Sequence, residues 1–174
     1  SIMDGSFRAD KSLGQHWLRD EIVLQQIASH AQLSQSDTVL EIGPGLGTLT
    51  QVLSRQSGGV IAVEFDPKLA TSLQKQHIKN TEIINADFLH FDLETLPQGY
   101  KVVANVPYYI TSKIIDRLLT SDNKPSLTVL LVQKEVAQRL AAVGGKHRIL
   151  SISAQLFADV RLGDVVPAEM FFPP

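Results

Sequence analysis

From Thr38 onward, short apolar runs alternate with segments whose apolar positions recur every three or four residues. Five runs read as strands: TVLEIG (38–43), GVIAVEF (59–65), TEIINADF (81–88), YKVVANV (100–106) and SLTVLLVQ (126–133). Few of them alternate with polar residues, as expected of strands covered by helices on both sheet faces. The spacing between them predicts helices over 46–56, 67–77, 110–120 and 134–142. Ahead of this array, Asp20 followed by EIVLQQIASHA has the form of an N-capped amphipathic helix. Behind it, ILSISAQLF predicts a last helix and VRLGDVV a sixth strand. Repeated β-α-β order implies a parallel sheet with right-handed crossovers. The expected fold is α/β: a mostly parallel, doubly wound, Rossmann-like sheet in a three-layer α/β/α stack.

Composition narrows this picture. The 174 residues, 44% of them apolar, suffice for one domain with a sizeable core. There is no cysteine, which excludes disulfides, thiolate metal sites and cysteine nucleophiles. The five histidines form no i, i+4 pair, so no metal centre is expected. The apolar run Leu127–Val132 is too short to span a bilayer, and the N-terminus lacks the apolar stretch of a signal peptide. A cytoplasmic protein with no membrane partner is expected. The final Phe171-Phe172-Pro173-Pro174 reads as an interrupted loop, suggesting a domain cut from a longer protein.

Charge adds a constraint. Sixteen Lys and Arg against 18 Asp and Glu give a net −2, whereas nucleic-acid-binding domains are more often clearly basic. A nucleic acid would have to be held by shape, by segments outside this chain, or by a local patch. Lys11, Arg139, Lys146, His147 and Arg148 are the candidates for such a patch, although a solvated face is the simpler reading.

The strongest local signal is EIGPGLGT, Glu41 to Thr48, which leaves the first strand and enters a helix. That is where open α/β sheets bind their ligands, and glycines such as Gly43 and Gly45 let backbone approach a ligand closely. The spacing is G-x-G-x-G rather than the G-x-G-x-x-G of dinucleotide sites. Glu41 beside it is a poor neighbour for a pyrophosphate but tolerates a cationic amine and a sulfonium. S-adenosylmethionine is therefore favoured over a nicotinamide dinucleotide. Glu64, ending the second strand, can accept two hydrogen bonds from a ribose diol, and Phe65 follows it in the same nucleoside site. Asp87 can accept from the amino group of the cofactor adenine, with Phe88 offering an apolar face. Taken singly, each acid also reads as a solvated strand end.

Asn105-Val106-Pro107-Tyr108 closes the fourth strand. An adenine N6 amine is a poor nucleophile because its lone pair is delocalised into the ring. Methylating it needs acceptors for the amine hydrogens and a platform for the base. The Asn105 side-chain oxygen and the Val106 carbonyl can accept, Pro107 stiffens the loop, and Tyr108 can stack on an extruded base. No general base is required, since a sulfonium is an activated leaving group and alignment carries most of the rate. The same four residues also read as a plain turn, but their position beside the cofactor loop favours the catalytic reading.

With these motifs in order, the chain resembles the KsgA-type small-subunit ribosomal RNA adenine N6-dimethyltransferases. The resemblance covers about Lys11 to Pro174, through LGQHWLRD, VLEIGPGLGTLT, VEFDPKLA, NADFLHFD, NVPYYITSKII, VQKEVAQRL and FFPP. It implies a class I S-adenosylmethionine-dependent methyltransferase fold, with residues 1–10 as a tail and 11–174 as the catalytic domain. It also implies methylation of two adjacent adenosines in a 3′-terminal hairpin of small-subunit rRNA, releasing S-adenosylhomocysteine. The partner would be small-subunit rRNA within the pre-small ribosomal subunit, and the enzyme would act as a monomer. By the same resemblance cofactor contacts fall on His16, Leu18, Gly43, Glu64, Asp87 and Asn105, base handling on Asn105 to Tyr108, and packing against the base on Phe171, with Phe172 as the adjacent candidate. Where the family commonly reads Gln-Asn-Phe-Leu, this chain has Gln15-His16-Trp17-Leu18, and the His16 ring still offers a nitrogen. The family's C-terminal helical domain has no counterpart in these residues. Two rivals stay open: a large-subunit rRNA methyltransferase of the macrolide-resistance type, and an RNA-binding factor that keeps the fold without catalysis.

Overall fold

The computed structural model describes residues 21–105, 108–133, 147–153 and 156–161. Their elements, in order, are α1 (Glu21–Ala31), β1 (Thr38–Ile42), α2 (Thr48–Gln56), β2 (Gly59–Glu64), α3 (Pro67–Lys75) and β3 (Thr81–Asn85). Two single 3₁₀ turns, Phe88–His90 and Leu93–Thr95, lead to β4 (Lys101–Asn105), α4 (Tyr108–Thr120), β5 (Leu127–Gln133), β6 (His147–Ser153) and β7 (Leu156–Arg161).

The seven strands form one sheet in the order β3-β2-β1-β4-β5-β6-β7. All neighbours pair in parallel except β6 and β7, which are antiparallel. The mostly parallel α/β sheet expected from the apolar runs is therefore present, with each of the first five strands where a run lies. Side-chain parity divides the core in two. Val39, Val60, Ala62, Val103, Val129 and Leu131 face one way, against Leu24 and Ile27 of α1 and Val52 and Leu53 of α2. Their neighbours Leu40, Ile42, Val63, Val102, Ala104 and Leu130 face the other way, against Ile114, Ile115 and Leu118 of α4. A strand whose successive residues enter different cores must be apolar throughout, which is why the runs lack polar alternation.

Local signals set several boundaries. The Asp66 carboxylate accepts from the backbone N–H of Lys68 (2.8 Å) and Leu69 (3.4 Å), and Pro67 follows as the first residue of α3. At the amino-terminal edge of the sheet, Lys101 Nζ lies 3.1 Å from Asp37 Oδ2 and donates to the Gln32 carbonyl at 2.6 Å, tying β4 to the turn before β1. Burial alone would raise the Asp37 pKa. The Ser34 N–H and the Lys101 ammonium outweigh it and hold this carboxyl below its ordinary value.

The end of the chain departs from expectation. ILSISAQLF was expected as a helix, yet Ile149 to Ser153 lies within β6 and Leu156 and Phe157 open β7. Ile and Ser are weak helix formers, and the paired β5 edge offers ladder partners to an Ile-rich segment. Of the strand expected over 160–166, Val160 and Arg161 lie within β7, and 162–166 lie outside the described residues. The helix expected over 134–142 lies outside the described residues.

Candidate active site

The chain winds β1 to β2 to β3 in one direction, then returns to place β4 on the other side of β1. The carboxyl ends of β1 and β4 therefore flank the point where the winding reverses, the usual ligand crevice of an open α/β sheet. Register brings the candidate residues to this edge. Glu64 pairs with Asn85, Ile42 with both Val63 and Ala104, and Asn105 with Leu131. One step further along β1, Gly43 is level with Glu64 and Asn105, and its N–H donates to the Val63 carbonyl at 3.1 Å. Glu64, Gly43 and Asn105 thus share one row across three adjacent strands. Two strand spacings separate Glu64 from Asn105, about 10 Å.

The loop after β1 is shaped by glycines with different tasks. Gly45 has φ +59, and a Cβ built on it would meet nothing within 4 Å, so its backbone faces open space. Gly47 has φ +89, and a Cβ there would lie 2.6 Å from Leu73 Cδ2 of α3. The first leaves the crevice open; the second lets α3 pack against the start of α2. Leu46 between them is held by Gln76, whose Nε2 donates to its carbonyl at 2.9 Å.

Glu64 is 7% exposed and anchors the loop. Its Oε1 accepts from the Gly45 N–H at 3.0 Å and its Oε2 from the Asp66 N–H at 2.9 Å. A carboxylate offers about four acceptor positions, so one lone pair on each oxygen is left for a ligand. Asp87 is similarly half engaged. Its Oδ1 accepts from the Leu89 N–H at 3.0 Å, while Oδ2 lies 3.8 Å from His90 Nε2 on a side chain that is 36% exposed.

Three large apolar side chains stand out as exposed among the described residues: Leu46 (48%), Phe65 (73%) and Tyr109 (63%). All three belong to segments that follow the carboxyl ends of β1, β2 and β4. That is the edge at which open α/β sheets bind their ligands. Phe88 behaves differently: its ring is buried in the core with Leu40, Val63 and Leu93 rather than exposed.

Glu41 lies behind the crevice. It faces α2, is 1% exposed, and accepts a hydrogen bond from the Thr50 hydroxyl. Burial pushes its carboxyl up to about 7; the Thr50 hydroxyl opposes that rise and the Glu64 charge adds to it. Its place just before the glycines suggests a neighbour of the ligand, whereas the structure buries it against Thr50 of α2.

Of the other expected site residues, Tyr108 opens α4, directly after the β4 row. His16, Leu18, Val106, Pro107 and Phe171 lie outside the described residues, as do Lys11, Arg139 and Lys146 of the suggested basic patch. Asn85, Thr50 and Gln76 were not singled out from sequence. Asn85 sits in the same NADF motif as Asp87, which was the available signal. Nothing in the sequence links Gln76 to Leu46, 30 residues earlier. Among the described residues no group of three or more His, Asp or Glu is placed to hold a metal ion, and no helix is long and apolar enough to cross a membrane.

A family model described as ribosomal RNA adenine dimethylase matches residues 6–174. A ribosomal RNA small subunit methyltransferase A from Dehalococcoides mccartyi is 44% identical over 99% of this chain and 62% of its own length. The protein of the same description from Clostridioides difficile is 36% identical over 97% of this chain and 62% of its own length. The chain thus spans about 62% of the length of these curated relatives. Among solved structures, the 23S rRNA methyltransferase ErmE superposes with a TM-score of 0.62 at 34% identity, over 72% of this chain and 51% of that one. A dimethyladenosine transferase from Plasmodium falciparum gives 0.63 at 31% identity, over 71% and 45%.

Proposed function

Since the chain belongs to the ribosomal RNA adenine dimethylase family, we propose that it transfers methyl groups from S-adenosylmethionine to N6 of two adjacent adenosines in a 3′-terminal hairpin of small-subunit rRNA. The fold is that of a class I methyltransferase, and this family uses S-adenosylmethionine. The observation that carries the reading is the row of Glu64, Gly43 and Asn105 at the reversal of the sheet winding.

The residues present fit the cofactor. Glu64 keeps one acceptor position on each oxygen for the ribose diol, and the exposed Phe65 ring offers a face to adenine. Asp87 Oδ2 is the acceptor for the adenine amino group, and the open backbone at Gly45 admits the methionine half. His16 and Leu18 are assigned to the same site by family resemblance. When bound, S-adenosylmethionine supplies an electrophilic methyl group on a sulfonium.

The remaining work belongs to the chain. Asn105, two strands from Glu64, accepts an N–H of the target amine through its side-chain oxygen, with the Val106 carbonyl as second acceptor. This draws the nitrogen lone pair out of conjugation. Pro107 keeps the corner stiff, Tyr108 stacks on the extruded base, and Phe171 packs against it. Holding amine and methyl in line replaces an encounter in solution with a prearranged one, worth up to about 7–11 kcal/mol in well-oriented systems. The departing proton goes to solvent. The partner is small-subunit rRNA in the maturing small subunit, and the protein acts as a cytoplasmic monomer over residues 11–174.

The test is transfer of labelled methyl to undermethylated small ribosomal subunits, with the modified nucleotides mapped. Label on two neighbouring adenosines of the 3′ hairpin is expected. Label on protein-free large-subunit RNA instead would favour the function named for ErmE. Failure to bind S-adenosylmethionine at all would favour a non-catalytic RNA-binding role.

A further inference from the structure

We infer that Asn85 is a positioning residue for the nucleoside half of the cofactor, acting through the corner after β2 that carries Glu64 and Phe65. This rests on the cofactor reading above. The backbone ladder between β2 and β3 ends at the Glu64–Asn85 pair, closed by the Ala86 N–H donating to the Glu64 carbonyl at 3.1 Å. The Asn85 side chain then continues where the backbone stops. Its Nδ2 donates to the Glu64 carbonyl at 2.9 Å and to the Phe65 carbonyl at 3.1 Å. The second of these bonds is one rung past the end of the strand.

That extra rung matters because little else holds residue 65. The Phe65 ring is 73% exposed, so core packing does not place it, and its direction follows from its backbone. From the other side, the Asp66 N–H reaches back to Glu64 Oε2. Asn85 and Asp66 thus brace a corner of two residues, one aimed at the ribose diol and the other at the adenine face. A purely stabilising role explains this poorly. Asn85 is exposed on the edge strand, where water can satisfy both carbonyls when the amide is removed. What water does not supply is a fixed direction for the corner.

The experiment is a double-mutant cycle on the full chain, read as the Kd for S-adenosylhomocysteine by calorimetry. Asn85→Ala and Phe65→Ala are each expected to weaken binding roughly five- to tenfold, and the double variant by no more than about twofold beyond Phe65→Ala. Asn85→Asp keeps the shape, removes both donors, and is expected to match Asn85→Ala. It keeps the inference testable should the alanine variant fold poorly. Folded Asn85 variants that bind within about twofold of the parent overturn the inference, as do losses that multiply independently. A parent chain that binds no S-adenosylhomocysteine removes the cofactor reading itself, and this inference with it.

Discussion

A strand-end carboxylate that accepts two backbone N–H groups is a fastening and, under the proposed function, also a binding site. Glu64 fastens the glycine loop at Gly45 and the next corner at Asp66, and keeps one acceptor position per oxygen. Glu64→Ala is therefore expected to weaken S-adenosylmethionine binding by roughly 1.5–3 kcal/mol, the usual scale for hydrogen bonds to a charged group. An unchanged Kd would remove Glu64 from the site. Under the proposed function Asn105 has a different task, gripping the amine in the transition state. Asn105→Ala should abolish methyl transfer while the melting curve stays close to that of the parent; retained turnover would contradict its role. Glu41 is the buried acid, with a carboxyl pushed up to about 7 from an ordinary 4.5. The unfolded chain releases this proton first as pH rises, so the native state loses stability between about 4.5 and 7 and is flat above. Glu41→Gln should remove that slope, leaving the variant more stable than the parent at pH 8, by roughly 3 kcal/mol at most. Urea titrations at pH 5 and pH 8 check this, and an equal difference between the two proteins at both values would refute it.

At the scale of elements, the turn from β1 into α2 separates the requirements of folding from those of binding. Gly47 is pinned by the side chain of Leu73, at a φ that other residues rarely adopt. Gly47→Ala should cost about 1–3 kcal/mol through strain and overpacking, visible as a lower melting temperature. Gly45 has the same sign of φ but open space where a Cβ would go. Gly45→Ala should cost only about 1 kcal/mol of stability yet weaken cofactor binding, since the added methyl projects into that space. Equal effects of the two variants on stability and on binding would show that the loop has no such division. The elements themselves were largely legible. Val39 and Leu40 serve opposite cores, so an apolar run closed by glycine already describes a buried parallel strand. The segment from Phe88 to Tyr100 was not legible, because two 3₁₀ turns and isolated anchors such as Leu93 and Leu96 have no period. ILSISAQLF is ambiguous in sequence because short Ile-rich runs fit a helix or a strand until a neighbouring edge, here β5, decides.

Over the whole molecule, the site is the place where strands distant in sequence end side by side. The motif residues Gly43, Gly45, Glu64, Asp87 and Asn105 were readable because each ends or follows a strand, and the order of strands then aligns their tips. Their supports were not, since Thr50 under Glu41, Gln76 on Leu46 and Asn85 on Phe65 are contacts of the folded chain with no local pattern. The most direct trial of this geometry is a crystal structure of the chain with S-adenosylhomocysteine. The expected electron density has the ribose on Glu64, adenine between Phe65 and Asp87, and the sulfur turned toward Asn105. Density for the ligand anywhere other than the row of Glu64, Gly43 and Asn105, or a sulfur pointing away from Asn105, would contradict the arrangement on which the chemistry depends.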